Sequence, residues 1–207
     1  MGSDPRERHR HSIRLRGYDY SLAGMYFVTA CVNDKLMLFG QVMNGIVQPT
    51  AAGLMVHRVL ADVSRRFAGV DVDCSVVMPN HVHAIISLTS GPAGCGIEPS
   101  RLDSGLGTFQ SHGPSLPEIV RWFKLASANK YRPAVLRQGW QPYAGQLWQR
   151  NYFEHIVRNE ESLARIREYI ANNPARWHLD LENPDRTGED ESGPWMGSLT
   201  DGRRSIG

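Results

Sequence analysis

A chain of 207 residues with 41% apolar side chains can bury one good core, and nowhere does it carry the ~20 continuous apolar residues of a membrane span. Its three cysteines, Cys31, Cys74 and Cys95, have neither CxxC spacing nor even pairing, and its N-terminus is charged rather than signal-like, so a reducing cytoplasm is the natural setting. The net charge of +2 hides an asymmetry that suits a polyanionic partner: residues 121–158 hold seven Arg/Lys against one Glu, and residues 178–207 hold seven acids against three Arg.

Residues 1–24 mix arginines, including Arg14 and Arg16, with Tyr18 and Tyr20 and show no helix or strand period, which predicts a basic N-terminal arm. Met25–Val32 is a strand by composition, apolar on both faces and therefore central in a sheet. Asn44-Gly45 is a hairpin signal joining short strands around 38–42 and 46–48. Thr50 reads as an N-cap, and apolar residues at 52, 56, 60, 63 and 67 mark one helical face. Val70, Val72, Cys74 and Val76 alternate with Asp71, Asp73 and Ser75, predicting a half-buried strand that enters a Pro79-Asn80 turn. His81–Leu88 then completes an antiparallel pair.

Residues 89–114 are rich in Gly and Pro and predict a flexible insertion. Ser115-Leu116-Pro117-Glu118 has the form of a capping box, opening a helix to about Tyr131. Gly145–Phe153 predicts a further strand. Asn159-Glu160-Glu161 starts a last helix with the stripe Leu163, Ile166 and Ile170, which Pro174 stops. Past Leu179 the composition is acidic and aperiodic, predicting a flexible tail over 180–207 after a domain spanning 25–179. The order of elements implies an α+β sandwich, an antiparallel sheet with its helices on one face.

Two residues apart on one strand, His81 and His83 project from the same side, and two imidazoles so aimed can hold one divalent cation. The bland alternative is a pair of partly buried rings hydrogen-bonded to neighbours. On the last helix Tyr169 and Asn173 stand four apart and share a face. A phenol there could simply edge the core with its hydroxyl in water, or it could serve as a nucleophile given an activating partner. Together, two imidazoles, an amide oxygen and substrate phosphate oxygens form a reasonable ligand set for Mg²⁺ or Mn²⁺.

Several blocks carry a family resemblance: Met78-Pro79-Asn80-His81-Val82-His83, Leu147-Trp148-Gln149-Arg150-Asn151-Tyr152 and Arg167-Glu168-Tyr169-Ile170-Ala171-Asn172-Asn173-Pro174. With Ile13–Tyr20 and Tyr26-Phe27-Val28-Thr29, they resemble the single-tyrosine transposases of the HUH endonuclease superfamily, and most closely the REP-associated tyrosine transposases. The resemblance implies a ferredoxin/RRM-like antiparallel sheet with helices packed on it and the histidine strand central. It implies His81, His83 and Asn173 as ligands of Mg²⁺ or Mn²⁺, and Tyr169 as the nucleophile. The substrate would be a single-stranded DNA hairpin, cleaved through a 5′-phosphotyrosine link and rejoined. Pro174 places Asn173 in doubt, since a residue before proline is pushed away from helical geometry.

For DNA contacts, Arg14, Arg16, Lys124, Arg150 and Arg158 are candidates for phosphates, and Tyr18 or Trp122 for stacking. Tyr152 is the rival nucleophile, disfavoured because it lacks an amide one helical turn away. The chain would work as a monomer or homodimer, in the cytoplasm on the nucleoid, with no membrane partner. Two other readings compete: a non-catalytic DNA-hairpin-binding protein, and a metal hydrolase that uses water. The cutting reading needs the phenol within a few ångströms of the imidazoles, and the rings within reach of solvent or a cation.

Overall fold

A computed structural model describes residue 15, residues 17–89 and residues 113–188. Arg14, Arg16, most of the basic arm, most of the insertion and the tail from residue 189 lie outside the described residues. In chain order the elements are β1 (Gly24–Cys31), β2 (Gly40–Met43), β3 (Ile46–Pro49), α1 (Ala51–Arg66), β4 (Val70–Val77), β5 (His81–Leu88), α2 (Leu116–Gln138), β6 (Phe153–Val157) and α3 (Glu160–Asn172). Four strands pair antiparallel in the order β4-β5-β1-β6, and β2-β3 form a separate hairpin. Two interleaved β-α-β units in this order make the ferredoxin/RRM-like arrangement, with the histidine strand in the interior as the resemblance implies. Among the described residues no helix is long and apolar enough to cross a membrane.

Local chemistry sets the element ends. The Thr50 side chain accepts from the Gly53 amide at 3.1 Å and caps α1, and Asn159 accepts from the Ser162 amide at 2.8 Å and caps α3. Ser115 and Glu118 close the capping box of α2. At the hairpin, Asn44 (φ 51°) and Gly45 (φ 73°) both take the left-handed conformation that a two-residue turn of the I′ type requires.

Four expectations are corrected. The helices do not share one face. α1 and α2 cover the face built from Tyr26, Val28, Ala30, Val82, Ala84 and Ile86, whereas α3 packs on the other, against Phe27 and Ile85 through Leu163, Ile166 and Ile170. The reason is that β1 and β5 are apolar on both faces, and each face needs a cover. The alternation in β4 also fails to keep one side: a register shift between Val72 and Cys74 turns Val70 and Val72 toward α1 and α2, but Cys74 and Val76 toward α3. Asp73, at that irregularity, receives Arg167 of α3 in two bonds of 2.8 and 2.6 Å, which ties α3 to the edge strand.

Third, α2 does not stop near Tyr131 but continues past Pro133 to Gln138, where Gly139 (φ 67°) ends it. Fourth, residues 145–152 are not a strand. Trp148 makes a single bridge with Val32, and the regular strand starts only at Phe153. Lys124 Nζ donates to the carbonyls of Gln149 (2.9 Å) and Asn151 (2.8 Å), acceptors that a ladder would otherwise use.

One close approach gives a stability prediction. A Cβ on Gly53 would lie 2.1 Å from the Phe39 carbonyl oxygen, a backbone atom that cannot swing aside. Gly53→Ala should therefore destabilise the fold by about 1–3 kcal/mol, although alanine ordinarily gains ~1 kcal/mol over glycine in a helix. Chemical denaturation measures it, and an unchanged midpoint would show that α1 can back away from Phe39.

Candidate active site

The site lies at the end of the sheet where β1 stops and β5 begins. Cys31 pairs with His81 and Thr29 with His83, so both imidazoles leave the α3-facing side together. The turn before them is pinned on each flank, with Val32 donating to the Asn80 carbonyl at 2.8 Å and Phe39 to that of Pro79 at 2.9 Å. The Nε2 atoms of His81 and His83 are 3.0 Å apart. The Tyr169 hydroxyl, from α3, is 3.5 Å from His83 Nε2, and its ring stands edge-on to Phe27 at 6.1 Å. Two halves of the chain, 86 residues apart in sequence, meet here.

Ring orientation follows from the outer partners. The Asn80 amide nitrogen donates to the carbonyls of Lys35 (3.3 Å) and Glu182 (2.8 Å), which leaves its oxygen to accept from His81 Nδ1 at 2.9 Å. His81 thus carries its proton on Nδ1 and directs the Nε2 lone pair inward. His83 Nδ1 lies 2.8 Å from the Thr29 hydroxyl, which can donate or accept. With Thr29 donating, the His83 Nε2–H donates to His81; with Thr29 accepting, both Nε2 lone pairs face one point. Burial pushes the His81 pKa down to about 3, helped by the Lys35 charge. Burial, and then His81, hold His83 well below its ordinary range, against the opposing pull of Asp180. Both rings are therefore neutral at pH 7, as ligation requires.

A third group arrives from beyond α3, where composition predicts a flexible tail. Asp180 is only 4% exposed, and its Oδ2 lies 3.8 Å from His81 Nε2. Ligand atoms of His81, His83 and Asp180 all fall within 4.8 Å of one another. The chain stays packed past Leu179, with Asp180 and Asn183 both buried. Nothing in the sequence singled out Asp180, one acid among seven in a run that reads as solvated.

Asn173 is helical (φ −56°, ψ −41°) despite Pro174, and buried. The turn goes on beyond it, Arg176 donating to the Asn172 and Asn173 carbonyls at 3.1 Å each, and this holds the pre-proline residue in place. Its amide donates to Asp180 Oδ2 at 2.8 Å, while its buried Oδ1 has no hydrogen-bond partner. Two neutral imidazoles, a carboxylate and an orphaned amide oxygen fit a small divalent cation.

The rings are not open to solvent. His81 is 0% and His83 1% exposed, and Tyr169 9%. Residues 177–183 cover them, with the Trp177 ring 5.9 Å from that of His81. This cover is held by polar contacts: Asn80 and Lys35 to the carbonyls of Glu182 and Leu181 (2.8 Å each), Lys35 to the Glu182 carboxylate (3.5 Å), and Asn173 to Asp180.

The other candidates are spread out. Lys124 and Arg150 lie beside the segment that bridges to Val32, at the histidine end. Arg158 follows Val157, which pairs with Met25, six residues along β1 from Cys31 and about 20 Å away. Trp122 packs edge-on against Phe67 at 5.7 Å, and Tyr18 against Tyr20 at 5.0 Å, so both rings contribute to the core margin. Tyr152 packs with the α1/α2 side, the Lys124 ammonium 5.4 Å over its ring, on the face away from the histidines.

The chain is similar to several known proteins. The family model for IS200-like transposases matches residues 109–173. A Haemophilus influenzae protein of uncharacterised function is 36% identical over 172 residues, 83% of this chain and 92% of its own. A solved REP-associated tyrosine transposase bound to a REP hairpin is 22% identical, covering 79% of this chain and 73% of that one at a TM-score of 0.45.

Proposed function

The chain belongs to the IS200-like transposase family, and from that premise we propose that it acts as a REP-associated tyrosine transposase, cutting and rejoining single-stranded DNA at hairpin sequences with Tyr169 as nucleophile. The observation that carries this reading is the 3.5 Å approach of the Tyr169 hydroxyl to His83 Nε2, beside the paired imidazoles. In the reaction, Tyr169 Oη bonds to phosphorus while the P–O3′ bond breaks. The phenol gives up its proton, the departing 3′ oxygen gains one, and a 5′-phosphotyrosine link and a free 3′-OH result. Attack by that hydroxyl on the link reverses the step.

His81, His83 and the Asn173 oxygen would hold Mg²⁺ or Mn²⁺, with Asp180 as a further ligand while residues 177–183 are closed over them. When bound, the cation supplies charge stabilisation to the phosphate oxygens and favours phenolate over phenol. Thr29 and Asn80 orient the two imidazoles, and Phe27 holds the phenol ring. For a phosphodiester to reach Tyr169, residues 177–183 lift, a motion that exchanges polar contacts for water rather than exposing a core. The acid Asp180 leaves the phosphate's place in the same movement.

The test is incubation of a labelled single-stranded hairpin with the protein and Mn²⁺ or Mg²⁺, followed by a denaturing gel. A retarded band that protease digests is expected. Cleavage without such a band would favour the water-using hydrolase, and binding without cleavage the non-catalytic hairpin binder. The Thr29 contact gives a second expectation: Thr29→Val should weaken Mn²⁺ binding about 10–100-fold with little change in stability, as read by titration calorimetry. Equal affinity would mean that His83 finds its tautomer without the hydroxyl.

A further inference from the structure

A groove of about 750 Å³ lies between α2 and residues 146–152, on the side of the sheet away from the imidazoles. One face of α2 makes its first wall, with Pro117, Arg121, Ala128 and Arg132 spaced four to seven apart along the helix. From Pro117 to Arg132 that wall runs about 22 Å, at ~1.5 Å per residue. Arg150 stands on the facing wall, and Lys124 braces that wall by donating to the Gln149 and Asn151 carbonyls. Four basic side chains line the groove against one acid, Glu118, which is committed to the capping box. Between the charges the lining is apolar: Leu125 is 59% exposed, and the half-buried Tyr152 adds ring surface beside it, while Trp148 forms the buried floor.

We propose that this groove is a channel for single-stranded DNA, carrying the strand that leads to or from the cutting centre. The proposal rests on the function set out above and extends it to a surface distinct from the histidine site. Three observations choose the occupant. The excess of positive charge suits a phosphate chain. An apolar, aromatic lining between arginines suits the exposed faces of unpaired bases, whereas a duplex offers only phosphates and groove edges to such a wall. The length accommodates about six stacked nucleotides at ~3.4 Å each.

Position supplies the link to the chemistry. The segment that forms the second wall extends β1: Gln149 donates to the Cys31 carbonyl and Asn33 to that of Leu147, both at 2.9 Å. Cys31 pairs with His81 across the sheet. The groove thus opens at the sheet edge about two strand spacings, roughly 10 Å, from the imidazoles. Electrostatics agree. Burial raises the pKa of the Cys31 thiol, Glu182 and Asp180 of the cover raise it further, and Lys124 of the groove opposes them, so groove and cover meet at this residue.

The test uses the full chain in EDTA, so that no cutting is needed. Fluorescence anisotropy compares an oligothymidine of about 12 nucleotides with a blunt DNA hairpin of equal phosphate count. The variant is Arg121→Gln/Arg132→Gln/Arg150→Gln; all three side chains are exposed, and an unchanged melting temperature establishes folding. It should lose at least tenfold in affinity for the single strand, about 10-fold being a conservative figure for three phosphate contacts. The slope of log affinity against log salt should fall by about 2, at ~0.7 per contact. Hairpin binding should stay nearly the same, and replacing the same three residues by lysine should preserve the salt slope. Unchanged single-strand affinity, or an equal loss on the duplex, overturns the proposal. A Tyr169→Phe chain run in parallel should bind like the wild type, so a failed cutting assay and a failed groove are told apart.

Discussion

Tyr169→Phe should abolish the covalent protein–DNA adduct while leaving hairpin binding and fold intact. The phenylalanine ring keeps the edge-on contact with Phe27 and the 5.2 Å contact with His83, so only the hydroxyl is lost. Removing a nucleophile from a centre that acts as a unit costs roughly 10⁴-fold or more. The measurement is the protease-sensitive band under the same conditions as the wild type. Tyr152→Phe is the matching control and should leave the band in place, because that ring lies on the opposite face of the sheet. An adduct that survives at Tyr169→Phe and disappears at Tyr152→Phe would reverse the assignment.

His83→Ala should remove cation binding and cutting together. It deletes one of two lone pairs that meet 3.0 Å apart and strips Thr29 and Tyr169 of their common partner. Loss of an outer partner alone weakens metal sites about 10–100-fold, so loss of the ligand itself should exceed about 100-fold in Mn²⁺ affinity. Calorimetry or the Mn²⁺ resonance spectrum reads this without any DNA. Asp180→Ala should also weaken binding, by less than His83→Ala. Retained Mn²⁺ affinity at His83→Ala would place the cation elsewhere and remove the reason for pairing these rings.

Much of this arrangement was legible before any coordinates. His-x-His on a Val/Ile-rich run, Thr50 and Asn159 as caps, and Tyr169 four residues before Asn173 depend on local periodicity, and local periodicity survives folding. The two-sided cover of the sheet follows from β1 being apolar on both faces, which a single layer of helices cannot bury. What was not legible depends on long-range partners. The shift in β4 shows only in its pairing with β5, and the irregular run before β6 only in Lys124 taking two carbonyls. Asp180 is placed by an amide seven residues earlier and lies beside an imidazole of β5. The edge-on contact of Trp122 with Phe67 likewise depends on a partner far away in sequence.

The distance in sequence between His83 and Tyr169 has a consequence for the chain while it is being made. At ~5–20 residues per second, 86 residues take roughly 4–17 s to synthesise, so the imidazole strand leaves the ribosome well before the phenol exists. A nascent chain therefore presents the paired imidazoles without the phenol, so the cutting proposed for this protein cannot begin at that stage. The phenol comes with α3, and the cover over the histidines, residues 177–183, follows it within about ten residues.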